Sequence, residues 1–140
     1  MGLAATERLG VSGENRATRT RVMLVEDQTD FRHLMVTLLG RQADLEVVAQ
    51  AGSLAEARRH AAAVKFDVAV LDLGLPDGNG ADLIAELRRA NTNVGVLILS
   101  ASLDAKNLQK ATEAGADEIL DKLGASDEVL GAIRRIRAGE

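Results

Sequence analysis

From Arg21 onward the sequence alternates apolar runs of strand length with amphipathic runs of helix length. No other feature of the chain narrows its fold so far. Strands that alternate with helices pair in parallel through right-handed crossovers, and the helices cover both faces of the sheet. Such strands are buried on both sides and read as near-continuous aliphatic runs. The stretches "RVMLVED" (21–27), "LEVVAQA" (45–51), "FDVAVLDL" (66–73), "VGVLILS" (94–100) and "EILD" (118–121) fit that description.

Between them lie five helical patterns. The first runs from Asp30 to Arg41, with Phe31, Leu34, Met35, Leu38 and Leu39 on one stripe. Ser53 and Glu56 form a capping box that opens the second, which extends to Lys65. "ADLIAELRRA" is the third, and the fourth spans Asp104 to Ala114 with Gly115 as a left-handed cap. The fifth starts at a Ser126 cap, turning Val129, Leu130, Ile133 and Ile136 inward and leaving Arg134, Arg135 and Arg137 for solvent. The predicted architecture is a three-layer α/β sandwich, a doubly wound parallel (βα)5 sheet forming one domain over residues 21–140. Residues 1–20 hold no period and read as a tail, although "MGLAAT" satisfies the N-myristoylation pattern at Gly2 with Thr6.

The chain has 140 residues and no cysteine, which suits one core of ordinary size, excludes thiol chemistry and fits a cytoplasmic address. A formal net charge of -4, with Phe31 and Phe66 as the only aromatic residues, argues against nucleic-acid binding by this chain. No apolar run has the length of a membrane span.

The chemistry lies where the strands stop. Glu26 and Asp27, Asp72, Ser100, and Asp121 with Lys122 all fall at carboxyl ends of predicted strands. In an open parallel sheet those ends share one edge, where ligands bind. Two carboxylates a few Å apart, such as Asp27 and Asp72 on adjacent strands, repel by about 4 kcal/mol at an effective dielectric of roughly 20. A divalent cation relieves that repulsion. A donor set of oxygens without His or Cys favours Mg²⁺, which commonly completes its shell with water and a phosphate oxygen. Lys122 adds a compact positive charge and Ser100 a hydroxyl donor. This set suits phosphoryl transfer, with Asp72 as the nucleophile forming an acyl phosphate.

Residues 21–139 resemble a response regulator receiver domain of two-component signalling. The resemblance is carried by "VEDQ", by "LDLGLPDGNG" with Pro76 and Gly80 four and eight residues after Asp72, by "LSA" at Ser100 and by "EILDK" at Lys122. It implies a flavodoxin-like strand order 2-1-3-4-5 and makes Asp72 the phosphoacceptor. It assigns Mg²⁺, with Mn²⁺ as a substitute, to Asp27, Asp72 and the Gly74 carbonyl, with Glu26 acting through water. Ser100 and Lys122 become the phosphoryl-binding switch pair. The implied partner is a sensor histidine kinase or a phosphotransfer protein, and a homodimer is a further implied partner. "LEVVAQAGSLAEA" and "IRRIRAG" look most like receivers that precede a helix-turn-helix output domain.

Two departures stand out: Ile119 occupies the place of the family's aromatic switch residue, and Leu123 replaces a proline common after the lysine. Gly74 and Ser102 stand at positions that tune hydrolysis of the acyl phosphate. Two other functions compete with this one. A phosphorylation-independent interaction module of the same fold has only Ile119 in its favour. A haloacid-dehalogenase-like phosphohydrolase would require Asp-x-Asp where this chain has Asp72, Leu73 and Gly74. His33 and His60 lack a second ligand at metal spacing and read as solvated surface.

Overall fold

Successive side chains of a strand point to opposite faces, and in this chain both faces are apolar. The computed structural model describes residues 18–124 and 126–139. Five parallel strands, β1 (Thr20–Val25), β2 (Leu45–Ala51), β3 (Val68–Asp72), β4 (Gly95–Ser100) and β5 (Glu118–Asp121), form one sheet in the order β2-β1-β3-β4-β5. The helices are α1 (Thr29–Gly40), α2 (Leu54–Ala63), α3 (Ala81–Ala90), α4 (Ala105–Ala114) and α5 (Ser126–Ala138).

Met23, Val25, Ala69, Leu71, Val96 and Ile98 pack against Leu54 and Ala57 of α2, Leu83, Ile84 and Leu87 of α3, and Ala111 of α4. Their strand neighbours Val22, Leu24, Val68, Val70, Leu97 and Leu99 meet Met35 and Leu39 of α1 and Val129, Leu130 and Ile133 of α5. The continuous apolar strand pattern thus feeds two cores, one on each side of the sheet. Each large aliphatic side chain so buried contributes roughly 1.5–3 kcal/mol. Truncating Leu71, fully buried at the sheet centre, would cost about 2–5 kcal/mol.

The architecture and the strand order agree with the sequence reading, as do both limits of β2, α3 and β5. β3 is shorter than the stretch 66–73 by two residues at its start and one at its end, β4 and α4 start one residue later than read, and the other ends differ as follows. β1 starts at Thr20, whose N–H donates to the Asp44 carbonyl at 2.8 Å, and it ends at Val25, leaving Glu26 and Asp27 just beyond it. α1 lies one residue earlier at each end than predicted, and α2 stops at Ala63 because Val64 is extended. Ser53 Oγ accepts the Glu56 N–H at 3.1 Å as predicted, but Glu56 Oε1 accepts from Gly52 N–H, one residue before the cap. Ser126 is already the first residue of α5, not the cap before it.

Gly115 takes the left-handed conformation expected of it, with φ 95°. Arg134, Arg135 and Arg137 are exposed, yet each meets a carboxylate, on Asp44, Glu118 and Asp67 respectively. His33 is exposed, whereas His60 is half-buried. The tail over residues 1–17, with the acylation pattern at Gly2, lies outside the described residues.

Candidate functional site

Strand register brings the polar residues together. Val25 of β1 pairs with Leu71 of β3, so Glu26 and Asp27 leave one strand beside Asp72 at the end of the next. Asp72 pairs with Leu99 of β4, and Ser100 pairs with Asp121 of β5. Two further backbone bonds hold the residues past the strand ends: Glu26 N–H donates to the Ala51 carbonyl at 2.8 Å, and Lys122 N–H to the Ser100 carbonyl at 3.0 Å. Glu26, Asp27, Asp72, Ser100, Asp121 and Lys122 therefore all stand at the carboxyl edge of the sheet. There a cleft of about 290 Å³ opens, lined by Asp27, Asp72, Gly74, Ser100 and Lys122 among others.

Carboxylate oxygens of Glu26, Asp27 and Asp72 lie within 4.8 Å of one another. Glu26 and Asp72 are buried and Asp27 is exposed at the mouth. One ammonium serves the two buried acids. Lys122 Nζ stands 2.9 Å from Glu26 Oε1 and 3.3 Å from Asp72 Oδ2, and its side chain is 5% exposed. Burial pushes the Glu26 carboxyl above its ordinary value, and the nearby Asp72 charge adds to the rise. Bonds from Lys122 and from the Gln28 N–H offset only part of it. Burial also opposes the Lys122 charge, but the Glu26 bond and the two carboxylate charges outweigh it and raise its pKa. The donor set fits a hard divalent cation: it is all oxygen, clustered, and more negative than its one lysine can neutralise.

The loop after β3 is ordered by its own backbone. Gly74 N–H donates to Asp72 Oδ1 at 3.2 Å, Gly74–Leu75 and Gly78–Asn79 form a two-residue antiparallel ladder, and Pro76 is exposed at its turn. Gly80 N–H returns to the Leu73 carbonyl at 2.8 Å, so close that a Cβ at Gly80 would collide with the Asp72 carbonyl oxygen. That approach requires glycine. The buried Ser100 hydroxyl donates to the Ser102 carbonyl at 3.3 Å and accepts the Ser102 N–H at 3.2 Å. Ile119 is half-buried against the core that faces α2, α3 and α4.

The model of the response regulator receiver domain matches residues 22–134. The chain belongs to that family. Among its relatives is the DNA-binding transcriptional activator DevR/DosR of Mycobacterium tuberculosis, 38% identical over 119 residues, covering 85% of this chain and 55% of that protein. A two-component response regulator of the LuxR family from Aurantimonas sp. SI85-9A1 superimposes with a TM-score of 0.81 at 31% identity, over 87% of each chain. A response regulator from Burkholderia pseudomallei, solved with a phosphorylated aspartic acid, calcium ion and citrate, is similar at 25% identity, with a TM-score of 0.74 over 86% of this chain and 69% of that one. This receiver spans about half the length of the curated relatives it matches.

Several residues of the receiver's site escaped the sequence reading. Gln28 Oε1 accepts a bond from Lys122 Nζ at 2.8 Å, and the Phe31 ring centroid lies 4.6 Å from the same ammonium. Asn107 Nδ2 donates to the Ser102 carbonyl at 2.8 Å. Asp77 accepts the Leu54 and Ala55 N–H groups at 2.8 and 3.0 Å, capping α2 from the loop after β3. Those two N–H groups hold the Asp77 carboxyl below its ordinary value. The advance signals were "VEDQ", in which Gln28 directly follows the acidic pair, "LDLGLPDGNG", which contains Asp77, and the α1 stripe, which contains Phe31; none of them points to these contacts.

Proposed function

We propose that this receiver is phosphorylated on Asp72 and that Asp27, Asp72 and the Gly74 carbonyl hold the Mg²⁺ the reaction uses, with Glu26 acting through water and Mn²⁺ as a substitute. The observation that carries the reading is the charge imbalance at the carboxyl edge: carboxylates within 4.8 Å of one another, two of them sharing a single buried ammonium. A phosphorylation-independent interaction module has no use for that arrangement.

An Asp72 carboxylate oxygen attacks the phosphorus of a phosphohistidine on a kinase or phosphotransfer protein, the P–N bond breaks, and the departing imidazole keeps the electron pair and takes a proton from solvent. The bound cation supplies neutralisation of the charge that spreads over the phosphoryl oxygens. Lys122 and the Ser100 hydroxyl stabilise the product from the protein side. To reach it, the Ser100 hydroxyl exchanges its long bond to the Ser102 carbonyl for one to the phosphoryl group. The reaction stores a signal: it is regulatory, limited to intrinsic phosphotransfer and autodephosphorylation.

The output is transcriptional, through a DNA-binding portion of a longer regulator, and homodimerisation of this domain accompanies it. The resemblance to the DNA-binding activator of M. tuberculosis supports that reading. The setting is the cytoplasm; among the described residues no helix is long and apolar enough to cross a membrane. Reductive trapping tests the assignment of the phosphoacceptor. After incubation with Mg²⁺ and a small phosphodonor, borohydride should convert Asp72, and no other carboxylate, to an alcohol detected by peptide mapping. Reduction at Asp27 or Glu26 instead would overturn it.

A further inference from the structure

Gln28 occupies the position before α1, where Ser, Thr, Asp or Asn would accept a backbone N–H from the first turn. Its side chain makes no such bond. It reaches instead to a lysine 94 residues away, accepting from Lys122 Nζ at 2.8 Å, while its own backbone N–H donates to Glu26 Oε2 at 2.9 Å. Gln28 thus holds both members of the Lys122–Glu26 pair. We propose that Gln28 is a positioning residue of the phosphoryl site, its side-chain carbonyl keeping Lys122 in place when cation and phosphoryl group claim Glu26 and Asp72. The proposal rests on the phosphoacceptor reading above.

An ammonium has three N–H donors. At rest those of Lys122 face Glu26, Asp72 and Gln28, and the Phe31 ring covers the group. Two of the three acceptors are carboxylates that a divalent cation would take over. Gln28 alone is neutral and lies outside the acidic set, so its bond is the one Lys122 can keep. Without it, a side chain with four rotatable bonds loses its anchor, and placing the charge on the phosphoryl group costs rotamer entropy.

In the resting protein the same bond opposes the metal. Lys122 sits on Glu26 and Asp72, two of the three clustered acids, and is therefore their resident cation. Loosening Lys122 makes those oxygens easier to claim. One substitution at Gln28 should consequently strengthen cation binding and weaken phosphoryl binding. A residue that merely supported the fold would move both in the same direction.

The test uses the full chain with Gln28→Ser, which offers α1 a good cap and so guards against unfolding, together with Lys122→Met and the double variant. NMR titrations measure Mg²⁺ affinity, and then affinity for beryllofluoride, a phosphoryl mimic, at saturating Mg²⁺. For Gln28→Ser the Kd for Mg²⁺ should fall about threefold and the Kd for beryllofluoride rise about threefold, the size of one hydrogen bond. The melting temperature should not fall, and both effects should vanish in the Lys122→Met background. No change in either affinity, weakening of both, or persistence of the effects without Lys122 would overturn the proposal. If Lys122→Met alone leaves beryllofluoride binding intact, the phosphoryl reading itself fails, and that result is visible before any Gln28 variant is considered.

Discussion

Carboxylates stand at both edges of the sheet, and the fold treats them in opposite ways. At the amino edge, Asp44, Asp67 and Asp117 immediately precede β2, β3 and β5. Each has donors of its own. Asp44 takes both prongs of Arg134 at 2.9 Å, Asp67 takes the Arg21 N–H at 2.8 Å, and Asp117 takes the Val96 N–H and Arg88 Nη2, both at 2.7 Å. At the carboxyl edge Glu26, Asp27 and Asp72 crowd together, Glu26 and Asp72 share one ammonium, and Glu26 is pushed above its ordinary pKa. Residue type is the same at the two ends. What separates a structural acid from a reactive one here is whether its cationic partner is its own, as Arg134, Arg137 and Arg88 are for Asp44, Asp67 and Asp117, or shared.

The largest way to break this contrast is to remove the shared cation. Lys122→Met should destabilise the metal-free protein by about 3 kcal/mol, because a mostly buried pair loses one partner, and Mg²⁺ should recover much of the loss by binding the native state. Urea unfolding with and without Mg²⁺ checks this. An equal loss in both conditions would show that the lysine is a packing element and not a stand-in cation.

Removing an acid from the crowded edge gives the next effect. Asp27→Asn should weaken Mg²⁺ by more than about tenfold, while stability without metal holds or rises because repulsion is relieved. The amino edge should respond in the reverse sense. Asp117→Ala should cost about 1 kcal/mol, since it strands the Val96 N–H and takes one acceptor from Arg88, which keeps the Val94 and Gly115 carbonyls, yet leave Mg²⁺ affinity unchanged; the same unfolding and titration experiments separate the two classes.

The smallest effect depends on pH. The Arg134 bond holds the Asp44 carboxyl below its ordinary value of 3.8. Its stabilisation is therefore fully present above that value and is lost as pH falls through the lower folded one. Asp44→Asn should flatten the acid limb of the stability curve, by ~0.3 kcal/mol for an exposed pair, and added salt should shrink the difference. An acid limb unaltered by the substitution would remove Asp44 from the set of individually satisfied carboxylates.

How much of this was readable in advance follows from the range of the interactions. The sheet was legible because period and length are local properties, and two-sided burial left Val68 to Leu71 and Val96 to Leu99 without polar interruption. The site was legible because polar residues ending buried strands break the same pattern. Element ends slipped by a residue or two, as frayed ends do. The Gly74–Asn79 ladder was too short to show a period. The Gln28 to Lys122 bond, the Phe31 ring over the ammonium and the Asp77 cap on α2 join residues distant in sequence, and nothing local marks them. Ile119 was noticed only through a family pattern; its side chain sits as an ordinary aliphatic residue against the core.

The central claim is that the crowded edge exists to take a phosphoryl group on Asp72. The most direct measurement is intact mass after incubation with Mg²⁺ and a small phosphodonor, for the wild type, for Asp72→Asn and for the wild type without metal. One added phosphoryl group is expected on the wild type with Mg²⁺, and none in either control. An unmodified wild type that also fails to bind Mg²⁺, or an Asp72→Asn protein modified to the same extent, would contradict it.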